Sequence, residues 1–340
     1  MKNIDLLLLG KDLGRLQSRS LFCSLLKNGF EPELAKQLFV LLQKKGEHSN
    51  ELSGFVDAVQ SLEKPIQVRA RFLVDGCGTG GDGKNTFNIS TLACLIAAAS
   101  GAHVAKHGNR SISSMCGSSD LLESLGVKIA APKNRMLKAL KETGFGYFHA
   151  PLYHPVFKQV QQIRFELAKK KIKTIFNLAG PFLNPLRPKR QLIGVWKKDL
   201  VPMMAKTAQN LKLTHVIIVW NSAGMDEMTT GQKIILIELR NQKLISKILK
   251  PNQFHLKRSK PKDLRGGSVS QNRKIALRVL SATDRTSKLD VVLLNAGTIL
   301  YVSGKVKNIA DGIRLAKETV YSQSALKLLK QLVQITHDSQ

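Results

Sequence analysis

The sequence predicts an α/β protein in which a small helical domain precedes a large domain built on a mainly parallel sheet. Two observations carry that expectation. Apolar residues recur at three- and four-residue spacing over the first ~65 positions, and from Phe72 onward short β-type runs alternate with helical patterns. With 340 residues, 43% of them hydrophobic, the chain has the material for a sizeable core.

Helices are expected at Arg15 to Lys27, Pro32 to Lys44 and Asn50 to Leu62, with breaks at Asn28-Gly29 and Gly46, Ser49 as a helix cap, and Pro65 closing the unit. The domains are accordingly set at residues 1–66 and 67–340. Phe72-Leu73-Val74 reads as a strand leading into glycines, Ile89 to Ala99 as a helix and His103-Val104-Ala105 as a strand. Helices at Leu121 to Leu125 and Met136 to Lys141 precede a strand near Tyr147. Further strands are expected at Leu192 to Trp196, Val216 to Trp220, Ile234 to Leu239 and Leu244 to Leu249, with a helix from Met203 to Leu211 between the first two. The tail is helical at Arg273 to Ser281, Leu289 to Val302, and Ile309 to Ile335 with a break near Ser322. Alternation of this kind implies a sheet covered on both faces.

A formal charge of +29 draws anions of every kind: phosphates, carboxylates, nucleic acid, acidic membrane surfaces. Charge alone does not choose among them, and the basic clusters at Lys169 to Lys171, Arg187 to Arg190 and Lys257 to Arg265 also suit solvated loops. Cys23, Cys77, Cys94 and Cys116 form no C-x-x-C pair, which argues against a structural metal or a disulfide framework and fits a reducing cytoplasm. Leu6 to Leu9 is too short for a signal-peptide core, and no run approaches the roughly 18 apolar residues of a membrane span.

The segment Asp75-Gly76-Cys77-Gly78-Thr79-Gly80-Gly81-Asp82-Gly83 lies between an expected strand and an expected helix. Glycines there let the backbone turn sharply and present several N–H groups to one anion, to which the following helix N-terminus adds partial positive charge. It matches neither the P-loop nor the dinucleotide pattern, and a plain glycine turn is the alternative. Asn88, Ser90 and Thr91 stand at the next helix start, where they can add donors to the same anion or simply cap the helix. Lys106-His107-Gly108-Asn109-Arg110 and Gly117-Ser118-Ser119-Asp120 follow a second strand, and loops at the carboxyl ends of neighbouring strands converge on one ligand. Lys106 is expected to offer phosphate a point charge. Adjacent Asp226 and Glu227 suit Mg²⁺, which binds through one or two carboxylates plus substrate phosphates, and taken without further context they read as an ordinary acidic surface pair.

In family order, Gly78-Thr79-Gly80-Gly81-Asp82, Asn88-Ile89-Ser90-Thr91, Lys106-His107-Gly108-Asn109-Arg110, Ala150-Pro151-Leu152-Tyr153-His154-Pro155, Arg164, Asn177-Leu178-Ala179-Gly180-Pro181, Asn184-Pro185, Gln191-Leu192-Ile193-Gly194-Val195, Gly224-Met225-Asp226-Glu227 and Leu294-Asn295-Ala296-Gly297 resemble the signature loops of anthranilate phosphoribosyltransferases. The resemblance spans nearly the whole chain. It implies the nucleoside phosphorylase/phosphoribosyltransferase type of fold, a homodimer formed through the helical domain, and transfer of phosphoribose from phosphoribosyl pyrophosphate (PRPP) to anthranilate in tryptophan biosynthesis. It also implies PRPP contacts at Gly78, Gly80, Gly81, Asp82, Thr86, Asn88, Ser90, Thr91, Lys106, Asn109 and Ser118, and Mg²⁺ ligands at Ser90, Asp226 and Glu227. Anthranilate would meet Gly78, His107, Asn109, Pro151, His154, Arg164 and Gly180. His107 and Arg164 are the catalytic candidates, Arg164 gripping the carboxylate through paired hydrogen bonds. The histidines position first and accept protons second, and structural histidines or a surface arginine are the alternatives.

Three departures stand out from the family pattern: Met115 where a basic residue is common, Lys84 directly after the glycine loop, and a lysine-rich lengthening over Phe165 to Lys173. A pyrimidine nucleoside phosphorylase is a poor match at Cys77 to Gly83. A noncatalytic relative that binds nucleic acid through its basic surface would need neither the glycine loop nor the acidic doublet, so nucleic-acid binding is expected to be nonspecific at most.

Overall fold

The structure is a computed structural model that describes residues 2–29, 31–68, 70, 72–110 and 115–338. Its strands are β1 (Val74–Gly78), β2 (Val104–Gly108), β3 (Phe145–His149), β4 (Arg190–Gly194), β5 (His215–Asn221), β6 (Ile234–Arg240) and β7 (Lys243–Leu249). They form one sheet in the order β3-β2-β1-β4-β5-β6-β7. The first five are parallel, and β6 and β7 add an antiparallel edge. β6 turns into β7 through Asn241 and Gln242, both at positive φ, which is the two-residue hairpin geometry whose twist suits paired strands.

Side chains of β5 alternate between two apolar clusters: Ile217 and Val219 pack with the helices Ile89–Ala99 and Ser287–Ser303, while Val216 and Ile218 face the N-terminal helices and Leu200–Asn210. The period of two thus divides one apolar run between two layers. The helices Arg15–Asn28, Pro32–Lys45 and Ser49–Leu62 lie where the apolar spacing places them. Gly54 lets the first and third meet, because a Cβ there would strike the Arg15 carbonyl. The cap of Ser49–Leu62 is His48, whose Nδ1 accepts the Asn50 N–H at 3.3 Å while Glu51 accepts the His48 N–H, so Ser49 is already helical. Two helices absent from the sequence expectation, Gln161–Lys169 and Ile175–Ala179, join this layer, Phe176 meeting Phe39 and Phe55 edge-on at 5.0 and 5.1 Å.

β1 starts later than expected and runs through the first glycines. Gly76 is needed because a Cβ would sit 2.7 Å from Ile299 Cδ1 and 3.0 Å from Cys94 Sγ, so two helices press directly on the strand. Strands β1 and β4 are neighbours, yet the chain proceeds from β1 toward β3 on one side and from β4 toward β5 on the other. This is a topological switch point, where an open α/β sheet leaves a crevice at its carboxyl edge. Among the described residues no helix is long and apolar enough to cross a membrane.

Candidate active site

The carboxyl ends of β1, β2, β4 and β5 fall on that edge. Thr79 N–H bonds to the Gly194 carbonyl at 2.9 Å, which anchors the bend to β4, and Gly80, Gly81 and Gly83 then turn at positive φ. The acidic doublet after β5 lies directly on this bend: Asp226 Oδ2 accepts the Gly80 N–H at 2.6 Å, and Glu227 Oε1 accepts the Ser90 N–H at 3.1 Å. Gly78 makes the contact possible, since a Cβ there would fall on the Asp226 carboxylate. Ser90, Asp226 and Glu227 line a crevice of about 10 Å³, room for a single water-sized species. Burial raises both carboxyls, helped at Asp226 by neighbouring Asp82 and at Glu227 by Asp226. With oxygen donors only, the pair fits a divalent cation such as Mg²⁺.

Among the described residues, polar atoms around the bend lack a partner. Asp82 Oδ1 accepts the Lys84 N–H at 3.0 Å and its carboxyl abuts that of Asp226, while Asn88 Oδ1 and Thr91 Oγ1 are buried and unpaired. Asn88 does not cap its helix: its amide donates to the Cys116 carbonyl at 3.0 Å. Unpaired buried polar groups are costly, and their convergence here marks a ligand surface. Thr86 is held in a bridge to Arg265, and Ser118 shares hydrogen bonds with Tyr147 OH (3.0 Å) and the Asn109 carbonyl (3.3 Å).

Lys106 departs from the expected phosphate-facing position. It is only 2% exposed, and its Nζ donates to the Gly76 carbonyl at 2.7 Å beneath the sheet edge. Burial works against its charge, but Cys94 and Asp75 keep its pKa raised, so the ammonium stays as a counter-charge inside the fold. Its field also favours ionisation of Glu227.

Beside the bend opens a cavity of about 750 Å³, and Gly78, His107, Asn109, Pro151, His154, Arg164 and Gly180 all line it. Arg164 lies 4.7 Å from the Phe176 ring centroid and 5.7 Å from that of Phe157. Burial alone accounts for its lowered pKa, with no carboxylate offsetting the desolvation. A desolvated guanidinium stacked on rings is suited to an anionic aromatic ligand. His107 is held well below the usual histidine range by burial, with His154 and Lys106 adding to the effect, so it is neutral.

Four contributors escaped the sequence reading. Phe157 and Phe176 line the cavity without belonging to a polar motif. Glu63, the cap at the end of Ser49–Leu62, meets His154 Nδ1 at 2.6 Å. Lys173 ends the lysine-rich lengthening: its Nζ lies 4.2 Å from the Trp196 ring centroid, and its Cε would be 3.1 Å from a Cβ at Gly81. It therefore brings a cation to the glycine bend, whereas Met115 is 61% exposed.

The family model described as "Glycosyl transferase family, a/b domain" matches residues 70–326. The anthranilate phosphoribosyltransferase of Persephonella marina is 38% identical over 325 residues, 95% of each chain, and that of Acetivibrio thermocellus is 36% identical over 99% of this chain and 96% of its own. Among solved structures, the anthranilate phosphoribosyltransferase of Thermus thermophilus superposes with a TM-score of 0.93 at 35% identity, covering 99% of this chain and 100% of that one. The Saccharomyces cerevisiae protein in complex with PRPP and Mg gives 0.86 at 25% identity over 95% of this chain and 93% of its own. Matching along nearly its whole length in both sequence and fold, the chain belongs to the anthranilate phosphoribosyltransferase family.

Proposed function

We propose that this chain moves the phosphoribosyl group of PRPP onto the amine of anthranilate, giving N-(5-phosphoribosyl)anthranilate and pyrophosphate in tryptophan biosynthesis. The observation that carries the reading is the contact between the acidic doublet and the glycine bend, at the mouth of a cavity holding an unneutralised arginine.

Displacement at the anomeric carbon builds negative charge on the departing diphosphate and positive charge on the ribose. The N–H groups of the glycine bend beyond Gly80, the hydroxyl of Thr91 and the ammonium of Lys173 are positioned to receive the diphosphate without reorganising. Ser90, Asp226 and Glu227 would hold Mg²⁺, which when bound supplies positive charge to the leaving group. Arg164 grips the carboxylate of anthranilate, while the rings of Phe157 and Phe176 and the His107–His154 wall orient its ring. The gain is largely entropic, as both reactants are held in register. Being neutral and already hydrogen-bonded, His107 positions the amine rather than charging it.

Residues 1–66 serve as the dimerisation unit and 67–340 as the catalytic one, a division supported by the exposed Leu8, Leu9 and Leu16 on the first. A cytoplasmic setting suits its four free thiols. The test is loss of anthranilate fluorescence with PRPP and Mg²⁺. Turnover is expected, and Asp226→Ala with Glu227→Ala should reduce it by roughly a hundredfold or more. No turnover by the unaltered protein, or full turnover by the double variant, defeats the reading.

A further inference from the structure

Glu63 belongs to no signature loop, yet it reaches the wall of the aromatic pocket. It follows the helix Ser49–Leu62 in extended conformation. Arg187 clamps its backbone, one Nη2 donating to the Gln60 and Glu63 carbonyls at 2.6 and 2.9 Å. Its Oε2 is 2.6 Å from His154 Nδ1, and its other oxygen is buried with no partner, so the carboxylate is committed to that one histidine. His154 in turn places Nε2 3.2 Å from His107 Nε2, the two rings crossing at 75°.

A carboxylate only accepts hydrogen bonds, so its contact with Nδ1 holds the His154 N–H on that nitrogen. Nε2 of His154 then faces His107 Nε2 as the acceptor of that pair. Without the carboxylate, nothing fixes which His154 nitrogen carries the N–H or how the ring is turned.

We propose that Glu63 is a positioning residue for the aromatic substrate: its carboxylate holds the His154 ring with Nε2 directed at His107, and so fixes the two rings as one wall of the anthranilate pocket. The inference rests on the reading that this cavity takes anthranilate. It also makes the end of the helical unit part of the pocket's construction, because Glu63 lies on the N-terminal side of the division at residue 66.

The full-length protein, ¹⁵N-labelled at histidine, decides it. Glu63→Met keeps the length of the side chain and removes both hydrogen-bonding oxygens. The expected result is an anthranilate KM raised roughly tenfold with the PRPP KM changed less than about twofold. The His154 ¹⁵N resonances should also shift, and the coupling across the His154–His107 hydrogen bond should weaken, at an unfolding temperature close to that of the unaltered protein. Glu63→Gln restores hydrogen-bonding atoms at the same length and should recover part of both signals. Glu63→Asp, with a shorter reach, supplies the same readouts if Glu63→Met does not fold. Unchanged anthranilate KM and unchanged His154 resonances overturn the proposal, as does a loss of thermal stability with both readouts intact. Arg164→Ala, measured alongside, separates the failures. If it raises the anthranilate KM and Glu63→Met does not, only the role of Glu63 falls. If neither does, the pocket assignment falls and takes this proposal with it.

Discussion

At the scale of single residues, the glycines of the site do different work. Gly80, Gly81 and Gly83 are needed for their positive φ, whereas Gly76 and Gly78 are needed for lack of a side chain. A methyl group at Gly78 would displace the Asp226 carboxylate, and misplacements of about 1 Å cost roughly a hundredfold in rate. Gly78→Ala is therefore expected to lose activity on that scale while keeping its circular dichroism spectrum; normal turnover would separate the glycine from the doublet's function. Membership of the site was readable where a residue travels with a motif, as at Ser90 and Asp226. It was not readable at Glu63 or Lys173, whose partners lie 91 and 23 positions away in the chain at His154 and Trp196. An isolated glutamate before Pro65 and one lysine among many carry no local signal. Lys106 shows the opposite failure: a cation in a phosphate-binding motif is buried by the glycine carbonyl and the carboxyl beneath it.

At the scale of elements, apolar periodicity located most helices closely, because burial of one face dominates helix placement. It missed Gln161–Lys169 and Ile175–Ala179, whose apolar faces are short and make sense only against the N-terminal helices. The antiparallel edge carries a polar cluster of its own. Burial opposes ionisation of Glu238, but hydrogen bonds from His215, Lys247 and Tyr301 outweigh it and hold the carboxyl at about 2. The folded state thus binds this proton less tightly than the unfolded chain. The stabilisation is complete above the ordinary carboxylate range and disappears as pH falls through about 2. Glu238→Gln is expected to lower stability near neutrality by about 2 kcal/mol, read from urea unfolding, with a gap from wild type that narrows as acid is added. A gap independent of pH would show that packing, not ionisation, is what the glutamate contributes.

At the scale of the whole molecule, the charge of +29 leaves the fold unaffected but surrounds an anion-binding edge with positive potential, which favours capture of a polyanionic substrate. The helical unit presents Leu8, Leu9 and Leu16 at 62%, 70% and 77% exposure. Each such leucine gains roughly 1.5–3 kcal/mol on burial, so if this unit dimerises the chain as proposed, Leu9→Lys combined with Leu16→Lys should move sedimentation from dimer to monomer. An unchanged sedimentation coefficient would overturn dimerisation through this face. By itself, the order of apolar and glycine-rich segments determined the α/β plan with helices on both faces of the sheet, the bend near residue 80 and the doublet at 226, because periodicity and backbone freedom are local properties. Only the tertiary structure decided that the doublet sits on the bend, that Lys106 lies under it, and that helices far apart in sequence close the aromatic pocket. Those are contacts between segments distant in the chain, and their energies depend on burial and distance, which no stretch of sequence contains.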